Sequence, residues 1–188
     1  VSVFGGPYPT FQPQIVKDEY IDAVCVGEGE LAMVEFVDRL SRGESVQDVR
    51  NFHVKVDGKV YANPVRPQVQ DLDSLGFPDR ELCYSNPVYG NNKYKVFMTS
   101  RGCVARCHYC FHSGWGKAYE DSPGKYLRRR SVEHMIAEIE YVRDRWPLEF
   151  VHFTDDMFNF DKPWQESFLR AYRDRIGIPF SVIFMIDW

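Results

Sequence analysis

The chain has 188 residues, of which 44% are hydrophobic and 27% charged, with a formal net charge of −4. That is a globular composition of one or two domains, and it excludes a disordered tail or a fibrous repeat. No apolar run is long enough to span a bilayer and no signal peptide opens the chain. Its five cysteines lack the even pattern of a secreted disulfide framework. The expectation is a cytoplasmic protein with no membrane and no nucleic-acid partner. Locally, residues 93–130 carry nine Lys or Arg against Glu120 and Asp121, a basic stretch that favours an anionic ligand or forms a solvated face.

From its amino end the sequence reads strand, loop, helix, strand, loop, helix. Residues 1–4 form a short apolar strand running into Gly5-Gly6-Pro7-Tyr8-Pro9-Thr10, a turn-rich loop. A short polar helix is expected around residues 13–19. Residues 21–26 make the next strand, which ends at Gly27-Glu28-Gly29-Glu30. The helix that follows carries Leu31, Val34, Val37 and Leu40 on one face and stops near Gly43. Such alternation predicts parallel strands with right-handed crossovers. In open α/β sheets, ligands sit outside the carboxyl ends of the strands, where both glycine-rich loops fall.

Residues 53–61 read as a hairpin turning at Asp57-Gly58. A proline-bearing stretch at 63–67 and the segment 71–79 follow, and 44–94 as a whole reads as an extended linker that wraps rather than packs a core of its own. Strand 96–99 then feeds a cysteine loop. Ser131 N-caps a helix whose apolar face is Val132, Met135, Ile136, Ile139 and Val142. Strand 150–153 ends at Thr154-Asp155-Asp156. Asp161 and Pro163 open a helix with Trp164, Phe168, Leu169 and Tyr172 on its buried side, closed by Gly177. Residues 180–186 form a third strand. The expected division is 1–43, 44–94 and 95–188. The chain begins inside a strand and stops just after another, as a piece of a longer protein would.

The chemistry is concentrated in Ser100-Arg101-Gly102-Cys103-Val104-Ala105-Arg106-Cys107-His108-Tyr109-Cys110. Three thiolates at C-x3-C-x2-C spacing can hold three corners of a 4Fe–4S cube, whose usual complement is four cysteines. The fourth iron then stays open, and an open metal position is where a substrate or cosubstrate binds. The competing assignment is a non-catalytic zinc staple completed by His108 or His112. Structural zinc sites more often use a second, distant cysteine pair, whereas Cys25 and Cys83 stand alone and read as buried or neutral thiols.

On this spacing, with the aromatic Tyr109 before the last cysteine, the chain resembles the radical S-adenosylmethionine (SAM) superfamily. The order of Gly5-Gly6-Pro7-Tyr8-Pro9-Thr10, Gly27-Glu28-Gly29-Glu30, the 71–79 linker and the cysteine loop resembles its cobalamin-binding subclass. The resemblance implies an α/β fold, the tail of a Rossmann-like cobalamin-binding domain joined to part of a parallel (β/α) SAM barrel. It implies three cofactors: a 4Fe–4S cluster on Cys103, Cys107 and Cys110, SAM, and cobalamin. The open iron would chelate SAM, whose reductive cleavage yields a 5′-deoxyadenosyl radical, with methyl transfer to an unactivated carbon as the expected outcome. Radical cyclisation or rearrangement without methyl transfer is the alternative. The implied partners are a small-molecule or natural-product-like substrate and an electron donor such as flavodoxin or ferredoxin.

By the same resemblance Tyr109 faces the SAM adenine, Asp155 or Asp156 receives its amino group, and Gly5, Gly6, Pro7, Gly27, Glu28 and Gly29 border cobalamin. One of Arg128, Arg129 and Arg130 pairs with the SAM carboxylate or with Asp155 or Asp156; the others read as a solvated basic turn. Phe158 and Asn159 border the SAM pocket. The family's Asp-x-His-x-x-Gly cobalt-ligand motif is absent from these residues, and Gly76 stands where the linker usually has a proline, which would loosen it.

Overall fold

The structure, a computed structural model, describes residues 1–105 and 107–185. In chain order it contains β1 (Val3–Phe4), α1 (Pro7–Phe11), β2 (Ala23–Cys25) and α2 (Glu30–Ser41), then the hairpin β3 (Phe52–Val56) and β4 (Lys59–Ala62). Two short helices, α3 (Arg80–Tyr84) and α4 (Pro87–Gly90), lead to β5 (Tyr94–Phe97) and β6 (Ser100–Arg101). Beyond the cysteine loop come α5 (Phe111–Ala118), β7 (Arg128–Arg129) and α6 (Val132–Arg143). The series closes with β8 (Phe150–Phe153), α7 (Lys162–Arg175) and β9 (Phe180–Ser181). These elements form two units, Val1–Val69 with Arg106–Tyr126, and Gln70–Ala105 with Leu127–Trp188.

In the first unit the sheet order is β1-β2-β3-β4. The pair β1–β2 is parallel, as the strand–helix alternation requires, and the hairpin adds antiparallel strands to β2. Asp57 and Gly58 both take positive φ at its tip, the geometry of a type I′ turn. The expectation that residues 44–94 wrap without packing a core is corrected for this part. Val49, Phe52 and Val54 are buried with Ala23, Ala32 and Phe36, because alternate side chains of β3 face the sheet's covered side.

Helix α2 also departs from its pattern. Phe36 stacks on Phe52 at 4.2 Å, so the stripe through Ala32 and Phe36 turns inward, while Leu31, Val34, Val37 and Leu40 are exposed. Two apolar stripes competed, and the aromatic pair decided between them. The loop expected at residues 5–10 contains α1, with Pro7 at its first turn, where a missing N–H costs nothing. The polar helix beyond it is a 3-10 turn, Pro13–Lys17.

In the second unit β5, β8 and β9 form a wholly parallel sheet in that order. One face packs Phe97, Val151 and Phe153 against Ile139 of α6 and Phe168 of α7. On the other face Tyr94, Val96 and Met98 are exposed. Ser131 and Asp161 cap α6 and α7 through their side chains, accepting from His134 N and Trp164 N at 3.1 Å. On α7 the buried pair is Phe168 and Tyr172, whereas Leu169, expected on that side, is exposed. The third strand is shorter than 180–186, and Ile186 lies outside the described residues.

The 71–79 segment is anchored rather than loose. It makes a 3-10 turn, Leu72–Leu75. The Asp73 carboxylate accepts from Ser131 N at 3.0 Å and meets the His134 ring at 3.0 Å. Gly76 sits at φ 69°, a value the proline ring, fixed near −65°, cannot adopt. The glycine therefore redirects the chain so that Phe77 packs on His134 at 4.9 Å.

Buried charges interrupt these cores. Lys95 of β5 is 2% exposed. Its Nζ donates to Tyr89 O and Gly90 O at 2.6 and 2.9 Å, and lies 4.1 Å from the Tyr84 ring centre. Glu138 on α6 is wholly buried between Arg80 and Arg130.

Candidate metal and cofactor site

Of the three motif cysteines, Cys103 and Cys110 are half-buried and Cys107 is exposed, and all carry free thiols. Cys110 N donates to Cys107 O at 3.1 Å, forming a turn, and Ala105 N lies 3.4 Å from the Cys103 Sγ. An amide N–H aimed at sulfur stabilises a thiolate and a sulfur-bound metal. Among the described residues no three His, Cys, Asp or Glu side chains converge on a metal-holding position. The donor set itself, soft sulfur on one short loop, suits iron–sulfur chemistry. His112, the alternative zinc ligand, is buried with its Nδ1 2.5 Å from the Tyr126 hydroxyl. Cys25 is a buried core thiol, pushed up to about 11 by burial and then by the nearby Glu30 charge. Cys83 is exposed on α3.

Tyr109 is 94% exposed. The paired aspartates part company, as side chains leaving a strand end in succession must. Asp155 is wholly buried, with its carboxylate accepting hydrogen bonds from Thr99 N and Oγ1 and from Ser100 Oγ. The structure thus gives Asp155 an internal partner instead of an open face for the SAM amino group. Asp156 is exposed.

The arginine run is not a solvated turn, because Arg128 and Arg130 are 5% and 9% exposed. Arg129 lies among three aromatic rings, its guanidinium carbon 3.8 Å from the Phe160 centroid, 4.3 Å from Trp164 and 5.6 Å from Phe158. Nη2 donates to Phe158 O at 2.6 Å, while Nε and Nη1 are buried without an acceptor. Burial pulls this guanidinium down to about 10, against the attraction of Asp155 and Asp161. Two buried donors left without acceptors carry a desolvation cost of about 1–3 kcal/mol each, which an arriving carboxylate would relieve.

In the first unit the two glycine-rich loops leave the carboxyl ends of β1 and β2 and are joined by Thr10. Its Oγ1 donates to Gly6 O at 2.8 Å and accepts from Gly27 N at 3.0 Å. Asn51 Nδ2 donates to Val26 O and Glu28 O, and the Glu28 carboxylate accepts from Val69 N. The Tyr119 hydroxyl accepts from Glu28 N at 2.7 Å. Gly6, at φ 103°, has nothing within 4 Å of where a Cβ would stand, which fits backbone approached by a large planar cofactor.

Gly27 is different. A Cβ there would lie 2.0 Å from the Tyr119 Oη, so its missing side chain makes room for Tyr119. Gly5 and Gly29 lie against Cys25, and Pro7 opens α1. Gly27→Ala is expected to destabilise the chain by about 1–3 kcal/mol through overpacking and positive φ. Urea unfolding of the single and double variants checks this: in a Tyr119→Ala background part of the cost should vanish. An equal cost in both backgrounds would show that Tyr119 is not the obstacle.

Tyr119, Arg129 and Glu138 carry no spacing motif, though Glu138 announces itself by breaking the apolar stripe of α6. No family model matches the chain. An uncharacterised methyltransferase of Pyrococcus horikoshii is 35% identical over 163 residues, covering 85% of this chain and 34% of that protein. The cytidylyl-2-hydroxyethylphosphonate methyltransferase of Streptomyces wedmorensis is 25% identical, covering 96% and 38%. The anaerobic magnesium-protoporphyrin IX monomethyl ester cyclase of Rubrivivax gelatinosus is 31% identical, covering 83% and 28%. The chain spans about a third of the length of these curated relatives.

Among solved structures, the cobalamin-dependent S-adenosylmethionine radical enzyme OxsB, with aqua-cobalamin and S-adenosylmethionine bound, superposes with a TM-score of 0.69. It shares 18% identity, over 95% of this chain and 25% of that one. The radical S-adenosylmethionine methyltransferase TsrM of Kitasatospora setae, with tryptophan substrate and a SAM analogue, gives 0.64 at 19% identity, over 93% and 33%. The chain thus has, over the stretch it covers, the α/β fold of the cobalamin-dependent radical SAM enzymes OxsB and TsrM, and its sequence is similar to that of a methyltransferase and a cyclase.

Proposed function

We propose that the chain is the cluster-bearing part of a cobalamin-dependent radical SAM methyltransferase. The observation that carries this reading is the position of Cys103, Cys107 and Cys110 on one loop just beyond β6, the short strand that follows the parallel strand β5. Bound there, a 4Fe–4S cluster supplies the electron for reductive cleavage of SAM, and cobalamin supplies a methyl carrier.

The chain's own residues do the holding and orienting. The three thiolates hold three irons, and Ala105 N steadies the Cys103 sulfur. Arg129, with two buried donors and no acceptor for them, fits the SAM carboxylate, and the aromatic rings around it exclude water from that ion pair. By the family resemblance Asp156, exposed beyond the end of β8, would receive the SAM ammonium. Tyr109, being exposed, is free to meet the adenine. Gly5, Gly6 and Pro7, with Gly27, Glu28 and Gly29, would border the cobalamin, Gly6 offering the open approach. The substrate is a small molecule, and a reducing protein such as flavodoxin or ferredoxin delivers the electron.

The test is anaerobic reconstitution with iron and sulfide, followed by EPR of the reduced sample with and without SAM. A 4Fe–4S signal whose g-values move on adding SAM is the expected result. A chain that binds zinc and takes up no cluster would overturn the reading in favour of a structural metal staple.

A further inference from the structure

We infer that Asp155 is a positioning residue for the cluster loop, acting through Thr99 and Ser100 on the direction in which Cys103 is presented. The inference rests on the cluster reading above and adds a residue with no place on the metal itself.

The geometry starts from the parallel register of β5 and β8, in which Phe97 stands opposite Phe153. One residue further on, Thr154 N still donates to Phe97 O at 2.9 Å. The ladder then gives way to a side chain. Thr99 N lies 3.1 and 3.0 Å from the two Asp155 oxygens, Thr99 Oγ1 donates at 2.7 Å, and Ser100 Oγ donates to the same carboxylate. Asp155 is 0% exposed, so its carboxylate oxygens depend on these donors to replace water.

The donor pattern also explains why the residue is an aspartate. Among the described residues, the groups that hydrogen-bond to it at Thr99 and Ser100 are N–H and O–H donors, and an ionised carboxylate is acceptor-only. An asparagine would turn an NH2 toward another donor. Beyond Ser100 the backbone is gripped a second time, since β6 pairs with β7, Ser100 opposite Arg129 and Arg101 opposite Arg128. The path from β5 is therefore fixed through Arg101, and Cys103 follows after Gly102. A buried carboxylate that ties the strand exit through three donors, placed just before a metal ligand, sets that ligand's direction rather than merely ending a strand.

The variants Ser100→Ala, Thr99→Val and Asp155→Asn test this in the full chain. The readouts are the thermal midpoint, iron content after anaerobic reconstitution, the half-time of iron loss to a chelator and the EPR g-values of the reduced cluster. Ser100→Ala removes one donor and leaves the Thr99 contacts, so it is expected to fold with a midpoint lowered by only a few degrees, and well below that midpoint to show altered g-values and iron loss about ten-fold faster. Asp155→Asn is expected to be more severe in the same direction. Should Asp155→Asn fail to fold, Ser100→Ala and Thr99→Val still decide. Variants that retain iron as the wild type does, with unchanged g-values, overturn this proposal alone. A wild-type chain that takes up no cluster overturns the cluster reading and this proposal with it.

Discussion

Alanine at Cys103, Cys107 or Cys110 is expected to abolish cluster retention, each variant losing both the reduced 4Fe–4S EPR signal and its response to SAM. The loss should exceed the roughly 10–100-fold that removal of an outer-sphere hydrogen bond costs a metal site, because on the proposed reading each substitution would remove one of three protein ligands. A fourth thiolate is not at hand: Cys25 is buried in the first unit's core and Cys83 sits on α3. Cys25→Ala and Cys83→Ala are therefore the controls. Both should load iron as the wild type does. The burial that pushes the Cys25 thiol up to about 11 keeps it protonated at neutral pH, and a protonated thiol is a poor ligand. Iron content, visible absorption and EPR on the five single variants check the prediction. Full loading of any of the three motif variants would remove that cysteine from the ligand set.

Much of this was legible in the residue pattern because it rests on local rules. The helix caps at Ser131 and Asp161, the Asp57-Gly58 turn and the strand at Phe150–Phe153 follow from short-range chemistry that the chain states outright. The motif cysteines stand out by spacing alone as candidate ligands. What escaped was set by partners distant in sequence. The choice between two apolar stripes of α2 was made by Phe52, on a strand after the helix. The fate of Asp155 was made by Thr99 and Ser100, 56 and 55 positions away. The need for glycine at Gly27 comes from Tyr119, 92 residues on by the numbering. Arginines in a row read as solvated because arginine usually is; here the aromatic residues of 158–164 enclose Arg129. The parallel sheet was foreseeable from alternation, yet the charged groups that lock its strand ends were not.

The second large effect concerns those locks. Glu138 lies at 0% exposure on α6, with Arg80 Nε at 3.0 Å and Arg130 Nη1 on its other oxygen. Arg80 also donates to Val96 O at 3.0 Å, and Arg130 N donates to Thr99 O at 2.8 Å. One carboxylate thus ties α3 and the start of α6 to the carboxyl end of β5. Removing it would strand two guanidinium groups in a dry site, and Arg130 Nη2 is already buried without a partner. Breaking a buried ion pair in this way typically costs about 3–5 kcal/mol. Glu138→Ala is therefore expected to lower stability by about that amount and the thermal midpoint by roughly 10 °C. Glu138→Gln, which keeps the shape and one acceptor oxygen but loses the charge, should fall between alanine and the wild type. Urea unfolding followed by far-UV circular dichroism measures both. A cost under about 1 kcal/mol for alanine, the range of an exposed pair, would show that water reaches the arginines once the carboxylate is gone. A large loss with glutamine nearly as damaging would instead assign the tie to charge rather than to hydrogen bonding. The exit of β5 toward Cys103 is held by Glu138, through Arg80 and Arg130, and by Asp155, at Thr99 and Ser100. For that reason the alanine variant should also load iron less completely at temperatures well below its own midpoint.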